Sequence, residues 1–323
     1  MYYWKVTPVS DISITTFDLI FISYDEDNAE QNWADLKKKC PWAKRVHGVY
    51  GSDAAHKEAG NTSSTDRFIT CDGDTIIKPE FLNITIPQNI AEDMTKTISW
   101  CSENDVNGLV YGNGGLKCWT KPYVHNMRTH ENSDKPLNRI EFCFDDGYIH
   151  KNDVLSITYP NGSPRQAWRA GFREGVKMTL NQGLKQSVDK LVDNMYWMNI
   201  TRLLVWCSVG ADADNGLWAM YGARMGCYMT NLTEWDYINV RDFEYLNTMW
   251  EKEVAPKFES FTSLHVCTNS GYGWDNDLLL KELKEIGNAL RDNLGLEIAE
   301  LDPLASKFFR KVQINPPRTV KSA

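Results

Sequence analysis

Carboxylates that follow apolar segments are the residues of this sequence with the clearest capacity for chemistry. Asp72-Gly73-Asp74 comes directly after the predicted strand 67–71, and Ser23-Tyr24-Asp25 closes the apolar run that begins at Phe17. Two aspartates around a small residue suit a hard cation such as Mg²⁺ or Mn²⁺, which stabilises a departing diphosphate as a Lewis acid. We expect Asp72 and Asp74 to form a metal site. Asp74 would bind the cation, Asp72 would bind the ribose or a metal-bound water, and Gly73 would leave room for the nucleotide.

Sequence context separates this triplet from similar triplets in the same acidic chain. Asp25-Glu26-Asp27, Asp212-Ala213-Asp214 and Asp275-Asn276-Asp277 have the same spacing. Only Asp72-Gly73-Asp74 follows the third strand of an alternating strand and helix pattern, where ligands bind beyond the carboxyl ends of strands. The alternative interpretation is a solvated acidic turn.

The residues after the first predicted strand are candidates for contacts with a nucleotide. Tyr24 has a ring that can stack on a nucleobase, and Asp25 has oxygens that can accept a hydrogen bond from a uracil or cytosine edge. An ordinary helix cap with a packed tyrosine is the alternative. His56, in the next predicted helix, is a candidate phosphate contact or a surface residue.

The glycine-dense segment Gly112-Asn113-Gly114-Gly115 predicts a backbone that approaches a ligand closely and offers N–H groups to sugar hydroxyls. Lys117 and Trp119 would then line the same wall. The segment lacks the Gly-Lys-Ser/Thr ending of a P-loop. A tight turn is the alternative interpretation.

Basic residues at every fourth position follow Pro164 and form one stripe if this segment is helical: Arg165, Arg169, Arg173 and Lys177. Arginines in such a stripe suit a diphosphate or a DNA backbone. We expect Arg169 and Arg173 to contact the nucleotide sugar. The alternatives are a solvated face or an internal ion pair.

If the chain transfers a sugar from the nucleotide to a hydroxyl acceptor with inversion, it also needs a base that deprotonates that hydroxyl. Asp145 and Asp146 are candidates because they lie downstream of the glycine-dense segment, and Asp212 is the rival candidate. The many tryptophans are expected mainly in the core, although one or two of them are candidates to stack a flipped base. Examples are Trp168, Trp197, Trp206, Trp218, Trp235 and Trp250.

The order of predicted elements through residue 71 is strand, helix, strand, helix, strand, which is typical of an open α/β sheet. The second half is more helical. Its apolar spacing predicts a helix over residues 184–195 and a late helix that ends before Gly295, and the run 203–207 predicts a strand. We expect a Rossmann-like open mixed sheet flanked by helices. A donor-binding half would span residues 1–160, and an acceptor half with a basic tail would span residues 161–323, in one continuous globule.

Composition narrows the class of protein. Of the 323 residues, 42% are hydrophobic and 24% charged, which is typical of a globular chain. The formal net charge of −8 argues against a surface that binds polyanions everywhere. The sequence shows neither a membrane-spanning apolar run nor a signal peptide, and its eight cysteines form no CxxC pair. We expect a cytosolic protein with reduced cysteines, located in the host cytosol if the protein is viral.

Residues 18–81, including Phe68-Ile69-Thr70-Cys71-Asp72-Gly73-Asp74, resemble the donor half of GT-A glycosyltransferases. Three later segments resemble a bacteriophage branch that adds arabinose or glucose to hydroxymethylated pyrimidines of DNA: residues 107–117, residues 167–177, and residues 210–212 with 215–216 and 222–224. The resemblance implies a UDP-sugar donor, a Mn²⁺ or Mg²⁺ ion, and 5-hydroxymethylcytosine in double-stranded DNA as acceptor.

Three other functions fit parts of the same pattern. The first is the same donor chemistry on a glycan, lipid or protein acceptor, which the acidic net charge favours. The second is a metal-dependent nucleotidyltransferase or nuclease that uses the same carboxylates. The third is a non-enzymatic phage protein that is structural or binds DNA, which predicts no binding of nucleotide sugars.

Overall fold

The computed structural model of the chain describes residues 11–112, 115–127, 147–260 and 273–313. Within them, most of the first half forms a mixed β-sheet with flanking helices, and the second half is mainly helical. The strands are β1 (Ile12–Ser13), β2 (Asp18–Ser23), β3 (Lys44–His47), β4 (Arg67–Asp72), β5 (Thr75–Ile77), β6 (Thr85–Ile86), β7 (Thr97–Asn104), β8 (Val110–Tyr111), β9 (Lys117–Thr120), β10 (Tyr148–Thr158), β11 (Glu259–Ser260) and β12 (Gly273–Trp274).

The helices of the same residues surround this sheet and form the second half. They are α1 (Ala29–Lys39), α2 (Ser52–Thr62), α3 (Gln88–Glu92), α4 (Lys121–Asn126), α5 (Pro164–Met178), α6 (Leu191–Asn194), α7 (Trp197–Ser208), α8 (Gly216–Leu232), α9 (Phe243–Met249), α10 (Ala255–Phe258), α11 (Asn276–Leu294) and α12 (Pro303–Val312). None of the helices in the described ranges is long and apolar enough to span a bilayer.

The main sheet has the strand order β3-β2-β4-β9-β7-β10-β5, with β8 paired to β7. Strand β2 lies parallel to β3 and β4, and β7 lies parallel to β10, whereas β9, β8 and β5 run antiparallel to their neighbours. The predicted fold class is therefore confirmed, as an α/β Rossmann-like fold with a mixed sheet and a helix-rich second half. The parallel strands β2 and β4 end side by side, because Ile22 is paired with Asp72.

Two of the predicted elements in the second half are wrong. Residues 203–207, predicted as a strand, belong to helix α7, because a short apolar run does not by itself distinguish a strand from a buried helix. The helix predicted over residues 184–195 is broken into a turn at Leu184, a 3₁₀ helix over Val188–Lys190 and the short α6. Gln182, in the left-handed region at φ 50°, precedes this broken segment. The predicted late helix is confirmed as α11, which Gly295 terminates at φ 67°.

Helices α5 and α8 cross at very short range through glycines. An added Cβ at Gly171 would lie 1.9 Å from the carbonyl oxygen of Ala219, and one at Gly175 would lie 2.1 Å from a carbonyl oxygen of α8. Gly222 and Gly226 of α8 approach the backbone of α5 in the same way, at 2.1 and 2.2 Å. Any side chain here would force the helices apart, so these glycines fix the position of α5 and of the basic residues that it carries.

The last described helix, α12, is bonded to the loop that follows β7. Arg310 donates a hydrogen bond to the carbonyl oxygen of Asp105 at 2.6 Å, and Gln313 donates one to that of Asn107 at 2.8 Å. Arg310 also pairs with Asp212. The loop 105–109 leads into β8, so α12 helps to hold the segment that carries Tyr111.

The core of the helical half extends into the sheet half. It contains the buried tryptophans Trp168, Trp206, Trp218 and Trp250, and it takes in Val106, Leu109 and Tyr111 from the segment around β8. Most of the described tryptophans are therefore core residues, with Trp197 as an exception at 57% exposure. The division at residues 160 and 161 stays a prediction.

Candidate active site

A cleft of about 900 Å³ lies where β2 and β4 end, between the sheet and the helical half. Its sheet side includes Ser23, at the end of β2, and Asp72, at the end of β4. Its helical side is formed by residues of α5, by the start of α7 and by the start of α9. A volume of this size suits a small organic ligand, and the carboxyl ends of parallel strands are where open α/β sheets bind ligands.

The sheet side of the cleft presents three carboxylates, which we call the acidic edge: Glu26, Asp72 and Asp74. Gly73 allows them to approach, because an added Cβ there would lie 2.5 Å from Oε2 of Glu26. Gly115 packs directly on Asp72, since its added Cβ would lie 1.9 Å from the Cγ of that carboxylate. Both positions require glycine for a steric reason, and Gly115 holds Asp72 against the cleft.

Negative charge is crowded at the acidic edge. Burial and then the charges of Asp72 and Glu26 raise the pKa of Asp74 from 3.8 to about 7. Burial also raises the pKa of Glu26, with smaller contributions from Asp25 and Asp72. Among the described residues no lysine or arginine forms an ion pair with these three carboxylates. A divalent cation would supply the missing positive charge.

The donor set fits a cation that is held jointly by protein and ligand. In the part of the chain that the structure describes, no group of three or more His, Cys, Asp or Glu side chains has the arrangement to hold a metal ion alone. Mg²⁺ in phosphate-transfer sites is commonly bound by one or two carboxylates together with oxygens of the substrate phosphates. Asp72 and Asp74 can supply such a pair of carboxylates.

On the opposite side lies the helix wall, which consists of Arg169, Arg173 and Lys177 of α5 with Arg202 of α7. Helix α5 has Pro164 as its first residue, a position that favours proline. The Ser163 hydroxyl caps the helix by accepting a hydrogen bond from the Gln166 N–H. The helical stripe predicted from the sequence is present, and the short contact with α8 turns it towards the cleft.

Asp25 joins the end of β2 to the helix wall. Arg169, which is only 4% exposed, donates from both of its terminal nitrogens to the two oxygens of Asp25 at 2.7 Å. Arg165 and Asn247 donate to the same carboxylate at 2.9 and 3.2 Å. Burial alone would raise the pKa of Asp25, but the hydrogen bonds and charges of Arg169 and Arg165 lower it to about 2. The interpretation of the stripe as an internal ion pair thus describes Arg165 and Arg169.

A second buried network lies deeper in the helix wall. Tyr111 donates its hydroxyl to Glu174 at 2.9 Å and accepts a hydrogen bond from the indole of Trp206 at 3.1 Å. Lys177 pairs with the other oxygen of Glu174. Burial raises the pKa of Glu174, but Lys177 and Tyr111 outweigh it and lower the pKa. The guanidinium of Arg202 lies 4.8 Å from the ring centre of Tyr111.

Aromatic and imidazole rings line the mouth of the cleft near β2. Tyr24 donates its hydroxyl to Glu244 at 3.1 Å, and its ring lies 6.2 Å from that of Tyr50, edge to face. Nδ1 of His56 lies 2.8 Å from the carbonyl oxygen of Ser52 and therefore donates to it, because a carbonyl oxygen only accepts. Tyr24, Tyr50 and His56 all line the cleft.

The structure brings most of the predicted site residues to this one cleft: Ser23, Tyr24, Asp25, His56, Asp72, Asp74, Lys117, Arg169 and Arg173. Gly73 and Gly115 pack against its carboxylates. Trp119 was expected on the same wall as Lys117 but lies in the core, where its indole donates to Thr70 at 2.9 Å.

The candidate bases fall differently. Asp145 and Asp146 lie outside the described residues, as does Gly114. Asp212 is described, and the structure places it in an ion pair with Arg310 of α12 rather than among the residues that line the cleft. Its role as base stays a prediction that this position does not favour.

Among the charged residues of the cleft that sequence reasoning missed are Glu26, Glu174 and Arg202. Glu26 was visible within the acidic cluster after β2, and its proximity to Gly73 becomes apparent only in the fold. Glu174 was noted only as a neighbour of the basic stripe. Arg202 carried no signal, because its segment was expected to lead into a strand.

Comparison with known proteins returned little. No protein-family model matches the chain, and no curated protein matches it. A solved structure described as a glycosyltransferase involved in the glycosylation of the major capsid of PBCV-1 is similar at 13% identity and a TM-score of 0.29, over 44% of this chain and 93% of that chain.

Proposed function

We propose that this protein is a glycosyltransferase that binds a nucleoside diphosphate sugar, together with Mn²⁺ or Mg²⁺, in the cleft beyond β2 and β4. The observation that carries the proposal is the acidic edge. Asp72 and Asp74 lie at the carboxyl end of a buried strand, with a pKa of about 7 at Asp74 and no ion-pair partner among the described residues. Such an arrangement favours a bound cation, and the cleft beside it has room for a nucleotide sugar.

The residues around the acidic edge fit the parts of this ligand. The bound cation would neutralise the diphosphate leaving group by Lewis-acid stabilisation. Tyr24 and Tyr50 line the cleft near β2, where a ring can stack on a nucleobase, and Lys117 is placed to attract phosphate or sugar oxygens. The uracil base of a UDP-sugar is the expected occupant beside Tyr24. Arg169 is bonded to Asp25, and Arg173 lines the same cleft as a further candidate for a ligand contact.

Calorimetric titration with UDP and Mn²⁺ tests the donor site. We expect binding that requires the metal and that Asp74→Ala abolishes. Asp277→Ala is the matched control, because Asp277 is the third residue of another Asp-x-Asp triplet and is exposed at the start of α11. Equal binding by the wild type and the Asp74 variant would contradict the proposal.

For the acceptor, we propose 5-hydroxymethylcytosine of phage DNA. The support is the resemblance of three sequence segments to the phage branch, together with the position of two of them: residues from segments 107–117 and 167–177 line the cleft. Incubation with labelled UDP-glucose or UDP-arabinose and hydroxymethylcytosine DNA should place label in the DNA. Transfer to a glycan, lipid or protein instead would retain the donor site and reject this acceptor.

A further inference from the structure

Two exposed aromatic side chains stand together at the start of α7, and we call them the aromatic pair: Tyr196 and Trp197. They are 47% and 57% exposed. Their ring centres lie 6.1 Å apart, with the planes inclined at 56°. Only a few of the described Phe, Tyr and Trp side chains are exposed to this degree, and two adjacent ones offer a surface on which a ligand or a partner can stack.

The aromatic pair is continuous with the cleft. The Asn199 N–H donates to the carbonyl oxygen of Tyr196 at 2.8 Å, which places Asn199 one helical turn further along α7. Asn199 and Arg202 both line the cleft. The first turns of α7 therefore lead from the aromatic pair, at the rim, to Arg202 inside the helix wall.

The positive charge of the arginines in the cleft indicates which class of molecule would bind along the first turns of α7. The guanidinium of Arg202 lies 4.8 Å from the ring centre of Tyr111, and that of Arg173 lies 4.5 Å from the ring centre of Phe243. Both arginines line the cleft. Rings that can stack on bases, together with arginines, are the combination that binds single-stranded nucleic acid, whereas a neutral glycan gains little from arginines. Here the aromatic pair supplies exposed rings at the rim, and Arg173 and Arg202 lie inside the cleft.

We propose that Tyr196 and Trp197 stack the bases of a DNA strand whose target nucleotide enters the cleft as acceptor. The strand is either single or locally unpaired, because a base inside a duplex cannot reach the cleft without leaving the stack. The proposal rests on the proposed function in one respect, that DNA is the acceptor. It adds the residues that hold the bases beside the target.

Fluorescence anisotropy of a labelled single-stranded oligonucleotide that contains hydroxymethylcytosine tests this proposal. We expect the wild type to bind, and Tyr196→Ala/Trp197→Ala to bind more weakly, by about 5- to 150-fold for each base stack that is lost. Tyr196→Phe/Trp197→Phe should retain most of the affinity, because phenylalanine keeps a ring for stacking. Leu304→Ala/Phe308→Ala, which removes exposed apolar side chains of α12 instead, should bind as the wild type does.

Two further measurements separate this proposal from the donor site. The affinity of the alanine double variant for UDP and Mn²⁺, measured by calorimetry, should match that of the wild type. Neither Tyr196 nor Trp197 is among the described residues that line the cleft. Absence of UDP binding in the wild type would reject the donor site and leave the oligonucleotide result to be judged by itself. The stacking proposal is overturned if the wild type does not bind the oligonucleotide, if the alanine variant binds equally well, or if the pair is needed for a neutral oligosaccharide instead.

Discussion

On the sheet side of the cleft, Glu26, Asp72 and Asp74 gather without an ion-pair partner among the described residues, and the pKa of Asp74 rises to about 7. On the helix side, Asp25 is enclosed by Arg165 and Arg169, and its pKa falls to about 2. Both regions use carboxylates that lie at, or up to three residues beyond, the ends of the neighbouring strands β2 and β4. One carboxylate is satisfied by the protein and stabilises the fold, whereas the others form the proposed cation site.

The largest effect on stability is expected when the helix wall loses the guanidinium of Arg169. Arg169→Met should lower the free energy of unfolding by about 2 to 3 kcal/mol, because it leaves the partly buried carboxylate of Asp25 without its two-pronged partner. Urea denaturation measures this loss. The double variant Asp25→Asn/Arg169→Met should recover part of the stability, and a single variant as stable as the wild type would show that the pair does not fix α5.

The acidic edge should respond in function rather than in stability. Gly115→Ala places a Cβ where the carboxylate of Asp72 now lies, so we expect metal-dependent release of UDP from a UDP-sugar to fall about a hundredfold. Gly48→Ala is the control, because no atom lies within 4 Å of its added Cβ although its φ of 73° strains alanine. Equal activity of the two variants would mean that the position of Asp72 is unimportant.

The contrast in pKa predicts a dependence on pH that belongs to one side only. Asp74 must lose its proton to bind a cation, so Mn²⁺-dependent binding of UDP should weaken by up to about tenfold per pH unit below pH 7. The stability of the metal-free protein should depend on pH in the opposite direction to this binding. The folded protein keeps a proton that the unfolded chain has lost above pH 3.8, so stability should fall as the pH rises from about 4 to 7.

Asp74→Asn serves as the variant for this experiment. It should remove the loss of stability with rising pH and should also remove binding of Mn²⁺ and UDP. Calorimetry and thermal melting between pH 5 and 8 would follow both quantities. A flat binding curve for the wild type would indicate that Asp74 is ionised throughout.

The smallest effect is expected in the buried network of the helix wall. Tyr111→Phe removes the hydroxyl that donates to Glu174 and accepts from Trp206, and it should lower the free energy of unfolding by about 1 to 2 kcal/mol. Binding of UDP and Mn²⁺ should change little. A large loss of binding with little loss of stability would place Tyr111 in the donor site instead.

The sequence was most informative where chemistry and local pattern coincided. The end of β4 at Asp72 was predictable, because an apolar run followed by acidic residues is typical of a strand that ends at a ligand-binding edge. The condition for a basic stripe of Arg165, Arg169, Arg173 and Lys177, a helix after Pro164, is likewise met by α5. The metal and nucleotide roles of these residues stay predictions.

Contacts between distant segments were beyond the reach of the sequence. No local pattern predicts the ion pair of Arg169 with Asp25, because 144 residues separate the two. The apolar run within α7 looked like a strand because five residues are too few to show a helical period. Gly171, Gly175 and Gly222 appeared as parts of a family resemblance, and the structure supplies their physical reason in the close crossing of α5 and α8.

The hydrogen bonds of Arg310 and Gln313 to the loop after β7 have a practical consequence. Proteolytic trimming upstream of α12 would free two backbone carbonyls and the Asp212 carboxylate at once, and would loosen the path from that loop to Tyr111. A shortened chain should therefore bind its ligand less firmly, although the described residues of α12 do not line the cleft.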